Sequence, residues 1–271
     1  MAAPQGSGAP GISISLGAQG QTSPEPQFSL DGEAIIYCNP AGNFRCFADS
    51  IEIAPGEPLD LEDLGTLLVA NALPAVLWLR GAFMLHAACV RLADGTTVAI
   101  AGPSGAGKSR LAASLVEAGA QLIADDSVAL ALVDDRVSAA GLPGGWFARN
   151  PDTGRREFKQ APGEPAAGPA SIDLLAILGD GDAATLSHPL AAFEALMQHR
   201  HRPQVPLLLG QQAQVLQRAA RIAKGLSLAA LPICNGPDEA LAMAHAALDR
   251  LAREQRYGRA RSSTITGHRA D

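Results

Sequence analysis

The stretch Gly102 to Ser109, GPSGAGKS, constrains this chain more than any other. It matches G-x-x-x-x-G-K-[ST] at every defined position and stands between an apolar strand-like run, VAIA, and a helix-like run that begins at Lys108. A strand that enters a glycine loop and leaves as a helix turns backbone N–H groups toward one point, where the helix dipole also favours an anion. The N–H groups of Ser104 through Ser109 would wrap phosphates, Lys108 would reach the terminal ones, and the Ser109 hydroxyl would ligate Mg2+. The expected nucleotide-binding residues are therefore Gly102, Pro103, Ser104, Gly105, Ala106, Gly107, Lys108 and Ser109, with ATP and Mg2+ as the ligands.

Sixteen residues after Ser109 a second apolar strand, AQLIA, ends in the pair Asp125-Asp126. In a loop-helix-strand unit the end of that strand lies beside the phosphate loop. Two adjacent carboxylates there suit two tasks, holding Mg2+ and accepting the proton of an attacking hydroxyl. Asp126 is assigned to the metal with Ser109, and Asp125 to the base.

Around this unit the chain divides into four expected regions. Residues 1–26, rich in Gly, Pro, Ser and Gln, read as a flexible leader. Residues 27–80 read as a small β-rich lobe with a helix, because EAIIYC, NFRCFA and IEIA are separated by turn signals. The helix would start at Asp60, carry Leu61, Leu64, Leu67, Leu68 and Leu73 at helix spacing, and bend or end at Pro74. Residues 81–255 read as the core. Asp94-Gly95 marks a hairpin before the loop, and residues 141–170, rich in Gly, Pro and charge, read as a loop excursion. Strands are expected at VALALV, IDLLAILG and GLSLAALPI, with helices at PLAAFEALMQ and QQAQVLQRAARIA and a closing helix after Pro237. Residues 256–271 form a flexible basic tail.

Bulk properties narrow the partners. The net charge of −6 gives no footprint for nucleic acid. No basic-then-apolar start and no apolar run of about 18 residues is evident, so a secreted or membrane-spanning chain is not expected. Cys38, Cys46, Cys89 and Cys234 form no CxxC pair and read as reduced thiols of a cytoplasmic protein. Up to Thr66 there are nine acidic residues against Arg45 alone, which reads as a solvated acidic face.

LHAACV on a strand, then GPSGAGKS, then LIADDSVAL together resemble the catalytic domain of HPr kinase/phosphorylase, a bacterial serine kinase whose phosphate-loop fold is shared with phosphoenolpyruvate carboxykinase. The resemblance covers about Leu85 to Leu130. It implies an α/β fold with a mixed sheet flanked by helices, places His86 as the strand histidine that approaches the acidic pair, and gives Asp125 and Asp126 the metal and acid-base roles. The EIRGLG segment of that family and the basic stretch after it are missing here, which argues against HPr as substrate and against phosphorolysis. The layout is more similar to stand-alone HPr-kinase-like proteins of peptide-modification clusters, some of which phosphorylate the C-terminal serine of lasso-peptide precursors. That resemblance implies an ATP-dependent kinase whose partner is a peptide or small protein carrying a serine, with a homo-oligomer allowed.

A phosphoryl-transfer site also needs positive charge opposite Lys108. Arg200 and Arg202, in HRHR after a helix, are the candidates, with Arg149 a further one. His199 and His201 alternate with them but make no metal-ligand pattern. A small-molecule kinase and a nucleotide-binding regulator without turnover are the competing expectations.

Overall fold

The computed structural model describes residues 11–58, 60–134, 136–141, 145–149, 152, 156–162, 168–179, 184–186, 188–232, 238–239, 242 and 246. Their helices and mixed sheets make an α/β protein. The chain divides into two units: Met1–Met84 with His201–Val215, and Leu85–Arg200 with Leu216–Asp271. This division falls four residues past the expected boundary at 80/81 and returns a second segment to the first unit.

In the first unit β1 (Ser13–Leu16), β2 (Gln27–Asp31), β3 (Ala34–Asn39), β4 (Gly42–Cys46) and β5 (Ser50–Pro55) form one sheet in the order β1-β5-β4-β3-β2. Strands β2 to β5 are an antiparallel meander, as the short apolar pieces between turn signals predict. The two-residue alternation of a strand puts Ile35, Tyr37, Phe44, Cys46, Ile51 and Ile53 on one face, and all are buried.

Strand β1 corrects the expectation of a flexible leader over residues 1–26. It runs parallel to β5, and the N–H groups of Gly17, Gly20 and Ser23 continue the ladder to carbonyls of Ile53, Pro55 and Asn39. Composition missed this because all four β1 side chains are exposed. The strand is ordered by backbone hydrogen bonds, not by apolar burial.

Asp60 caps helix α1 (Leu61–Leu67), accepting the N–H groups of Glu62 and Asp63 at 3.0 and 3.1 Å. Pro74 was expected to bend or end the run. Instead a single π turn, Leu68–Ala72, leads straight into α2 (Leu73–Leu79), with Pro74 in its first turn. A proline at 74 has no N–H for the carbonyl four residues earlier, that of Ala70. His201 Nε2 and Arg202 Nε donate to that carbonyl at 3.2 and 3.0 Å, so the orphaned acceptor is satisfied from elsewhere in the unit. The run Leu61–Leu79 is 19 residues with mean hydropathy 1.2, long and apolar enough to cross a membrane by length and composition, contrary to the expectation of no such run. Leu64, Ala72, Ala75, Val76 and Trp78 on it are buried within the protein. Helix α5 (Gln204–Leu208), later in the chain, packs on α2 within the same unit.

 In the second unit helix α3 spans Lys108–Glu117.

The chain passes from the first unit to the second in β6 (Phe83–Leu85). There follow β7 (Ala87–Arg91), β8 (Thr97–Ala101), helix α3, β9 (Gln121–Ala124), β10 (Val128–Val133) and β11 (Arg136–Ala140). Next come β12 (Gly145–Arg149), β13 (Arg156–Gln160), β14 (Ala170–Ser171), β15 (Leu174–Gly179), β16 (Ala184–Leu186), α4 (Pro189–Gln198), α6 (Gln212–Lys224) and β17 (Leu228–Pro232). The principal sheet has the order β16-β17-β15-β8-β7-β9. Strands β17, β15 and β8 are parallel; β7 is antiparallel to both β8 and β9. Every residue of β8 is buried, as a strand in mid-sheet requires. Leu111, Ala112, Leu115 and Val116 of α3 close the core over Ala88, Val90, Val98, Ile100, Leu174 and Ala176. Strands β10, β11 and β14 lie side by side in a further antiparallel sheet.

The excursion 141–170, expected as loop, contains the antiparallel hairpin β12–β13 and strand β14. Trp146 packs on the core. The Gly and Pro residues that suggested a loop punctuate the ends of these strands instead of interrupting them. The closing helix after Pro237 and the tail 256–271 lie largely or wholly outside the described residues, as does Cys234. Cys38, Cys46 and Cys89 are free thiols, and burial pushes Cys46 and Cys89 up to about 12, which leaves them unreactive.

Candidate active site

Strand direction assembles the site. Strand β8 runs into Gly102, and the antiparallel β7 pairs Ala87 with Ala101, so β7 starts where β8 ends. Strand β9 is antiparallel to β7 and pairs Ala124 with Cys89, so it ends at that same edge. The glycine loop, His86 and Asp125-Asp126 therefore meet at one edge of one sheet. Strand β7 lies between the loop's strand and the acidic strand, which is what brings His86 to the same edge.

The loop is held by close contact. A Cβ on Gly102 would lie 2.7 Å from the Leu178 carbonyl oxygen of β15, too close for any side chain. Gly107, at φ 91°, is the N-cap of α3 and contributes no side-chain cap, so the first-turn N–H groups stay open to a ligand. Lys108 is buried, and its Nζ donates to the carbonyls of Gly102 and Pro103, both at 3.0 Å. Burial pushes its ammonium below the usual lysine range, while the charges of Asp126 and Asp125 pull it back up. Ser109 follows it in the first turn, half-buried.

Asp125 and Asp126 are both buried. The Ser127 N–H donates to the Asp125 carbonyl at 2.8 Å, a three-residue turn with Asp126 at its centre and φ 66°. Left-handed backbone at a non-glycine residue costs about 1–3 kcal/mol and collects at functional sites. Gly141 makes room for this turn: a Cβ there would lie 2.2 Å from Ala124 Cβ and 3.0 Å from the Ser127 carbonyl oxygen.

His86 Nδ1 lies 3.1 Å from the Asp126 carbonyl oxygen and 3.6 Å from Asp126 Oδ1. A carbonyl only accepts, so Nδ1 carries the proton in this contact. Asp125 and Asp126 are buried within reach of the Lys108 charge, and a carboxylate with a hydroxyl is the oxygen donor set that Mg2+ takes. The residues present thus fit both a phosphate and its metal.

The arginines expected opposite Lys108 are committed elsewhere. Arg200 Nε donates to the Met197 carbonyl at 2.8 Å, closing the C-terminal end of α4. Arg202 belongs to the first unit, on Ala70. The Arg149 side chain lies outside the described residues. His199, noted in the sequence only for making no metal-ligand pattern, is buried, and its carbonyl accepts the His86 N–H at 2.8 Å. Burial holds its imidazole below the usual histidine range, and the charges of Lys108 and His86 add to that. The signal was its place next to Arg200, which pairs with Leu85 beside His86.

No family model and no curated protein matches the chain. Among solved structures it is similar to the HPr(Ser) kinase/phosphatase from Coxiella burnetii, at 14% identity and a TM-score of 0.40, over 63% of this chain and 98% of that one. The chemical argument accordingly stays with the side chains.

Proposed function

We propose that this chain is an ATP-dependent, phosphate-loop kinase of the HPr-kinase-like kind that transfers the γ-phosphoryl group to a hydroxyl, a serine of a peptide or small protein, in the cytoplasm. The observation that carries the reading is the meeting of buried Lys108, Asp125 and Asp126 at the edge where the glycine loop opens.

The loop N–H groups and Lys108 hold and neutralise the phosphates. Asp126, with Ser109, would hold Mg2+, whose charge offsets that of the terminal phosphates when it is bound. Asp125 takes the proton of the acceptor hydroxyl, making the oxygen a better nucleophile toward the γ-phosphorus. His86, through Nδ1–H on the Asp126 carbonyl, fixes the turn that presents both carboxylates. A binding module alone would have no use for a second buried carboxylate beside the metal ligand, which favours turnover over sensing.

Incubation with γ-labelled ATP, Mg2+ and a pool of serine-containing peptides tests the reading. Label on peptide is the expected result, and Lys108→Ala should abolish it. Label on a small molecule would favour a metabolite kinase, and bound but untransferred ATP would favour a regulator. Full transfer by the Lys108 variant would sink the loop assignment.

A further inference from the structure

We propose that Arg110 contacts the polyphosphate of the bound nucleotide and supplies a second positive charge on the same helix turn as Lys108. The inference rests on the nucleotide reading of the loop.

Arg110 is the third residue of α3, within its first turn. A cation there faces the positive end of the helix dipole and is disfavoured in an isolated protein. This turn holds two, Lys108 and Arg110, with no acidic residue and no side-chain cap among them. Among the described residues Arg110 also makes no ion pair. Nothing local rewards it, so the reward must come from an anion.

The side chain has the matching geometry. Helical side chains lean toward the N-terminus, and the Arg110 guanidinium lies back over the loop. Its Nη2, Nε and Cζ are 3.5, 3.8 and 3.9 Å from where a Cβ would stand on Gly107. Arg110 is exposed, whereas Lys108 is buried with its Nζ on the loop's own carbonyls. The two cations thus divide the site: a point charge at its base and a planar fork of donors at its mouth, the shape that grips phosphate oxygens bidentately. A group at the mouth holds the phosphates before and during transfer alike. Its loss should raise KM and leave kcat.

The test compares wild type with Arg110→Gln and Arg110→Lys. Binding of Mg2+ and a non-hydrolysable ATP analogue is measured by calorimetry, transfer kinetics in the γ-label assay, and melting temperature without nucleotide. Arg110→Gln should weaken binding and raise KM for ATP about tenfold, the scale of one charge-assisted contact, with kcat within about twofold. Arg110→Lys should recover part of the loss. Without nucleotide the Gln variant should melt no lower than wild type, since an unfavourable cation has gone; a merely structural arginine would lower it. Unchanged analogue affinity, or a weaker affinity that tracks a lower melting temperature, overturns the proposal. A wild type that binds the analogue while Arg110→Gln binds equally well overturns this inference alone; a wild type that binds no nucleotide overturns the loop reading as well.

Discussion

The two units use their carboxylates in opposite ways. The first, Met1–Met84 with His201–Val215, has nine against Arg45, Arg80 and Arg202, which leaves −6, the formal charge of the whole chain. Its ion pairs are exposed: Arg45 reaches Asp31 at 2.8 Å and Glu52 at 3.7 Å, contacts worth about 0–1 kcal/mol in water. The second unit carries no net charge, yet it buries Asp125 and Asp126 side by side. Net charge points to the acidic unit and burial points to the other. Burial is the better guide, because only a desolvated charge costs enough to need a purpose.

The largest effect expected from this contrast is on chemistry in the second unit. Asp125→Asn and Asp126→Asn should each cut transfer by at least about a hundredfold, the scale of a lost acid-base or metal group. Only Asp126→Asn should also weaken Mg-ATP binding. Neither should lower the melting temperature, because removing one of two adjacent buried charges relieves their repulsion, and asparagine tolerates the positive φ at 126. Equal binding losses in the two variants would contradict the division of labour, and a large fall in melting temperature would make the pair structural.

The next effect is on stability in the first unit. Deleting residues 1–22 removes β1, the Ser13, Gly17 and Gly20 hydrogen bonds to Asp49, Ile53 and Pro55, and the cover at the β5 edge. At about 1 kcal/mol net per bond these three alone amount to roughly 3 kcal/mol, or a fall in melting temperature on the order of 15 °C for a unit of this size. Binding of the ATP analogue should change less than about twofold. An unchanged melting temperature would restore the reading of these residues as a flexible leader.

What was legible in the sequence follows from what each signal measures. The loop, the helix after it, the hairpin at Asp94-Gly95 and the Asp60 cap are local, and local chemistry dictates each. Strand β1 was missed because its partner β5 is distant in sequence, Ser13 pairing with Ser50, and the local β12–β13 hairpin because the Gly, Pro and charge around it outweighed its strand signal. Helix passage through Pro74 depends on His201 and Arg202, some 130 residues away, reaching one carbonyl. The loop, the acidic pair and His86 were found because motif and strand order bring them together. Arg200 was named and Arg110 passed over for one reason: sequence shows where an arginine stands but not which way its side chain turns.

The smallest effect is a pH dependence confined to the second unit. His199 is held below the ordinary histidine value of 6.5, first by burial and then by the positive charges of Lys108 and His86. The folded protein keeps the ring neutral at a pH where the unfolded chain already binds a proton. The stability it contributes is therefore whole above 6.5, and falls as pH drops through 6.5 toward the lowered value. Melting curves between neutral and mildly acid pH should show the wild type losing stability more steeply than His199→Gln, which has no proton to gain. The Lys108→Ala background should shrink that difference, because one of the charges that disfavours the imidazolium is gone. Parallel slopes in wild type and His199→Gln would mean that the ring titrates as it does in the unfolded chain, and His199 would then lose its place beside Lys108 and His86.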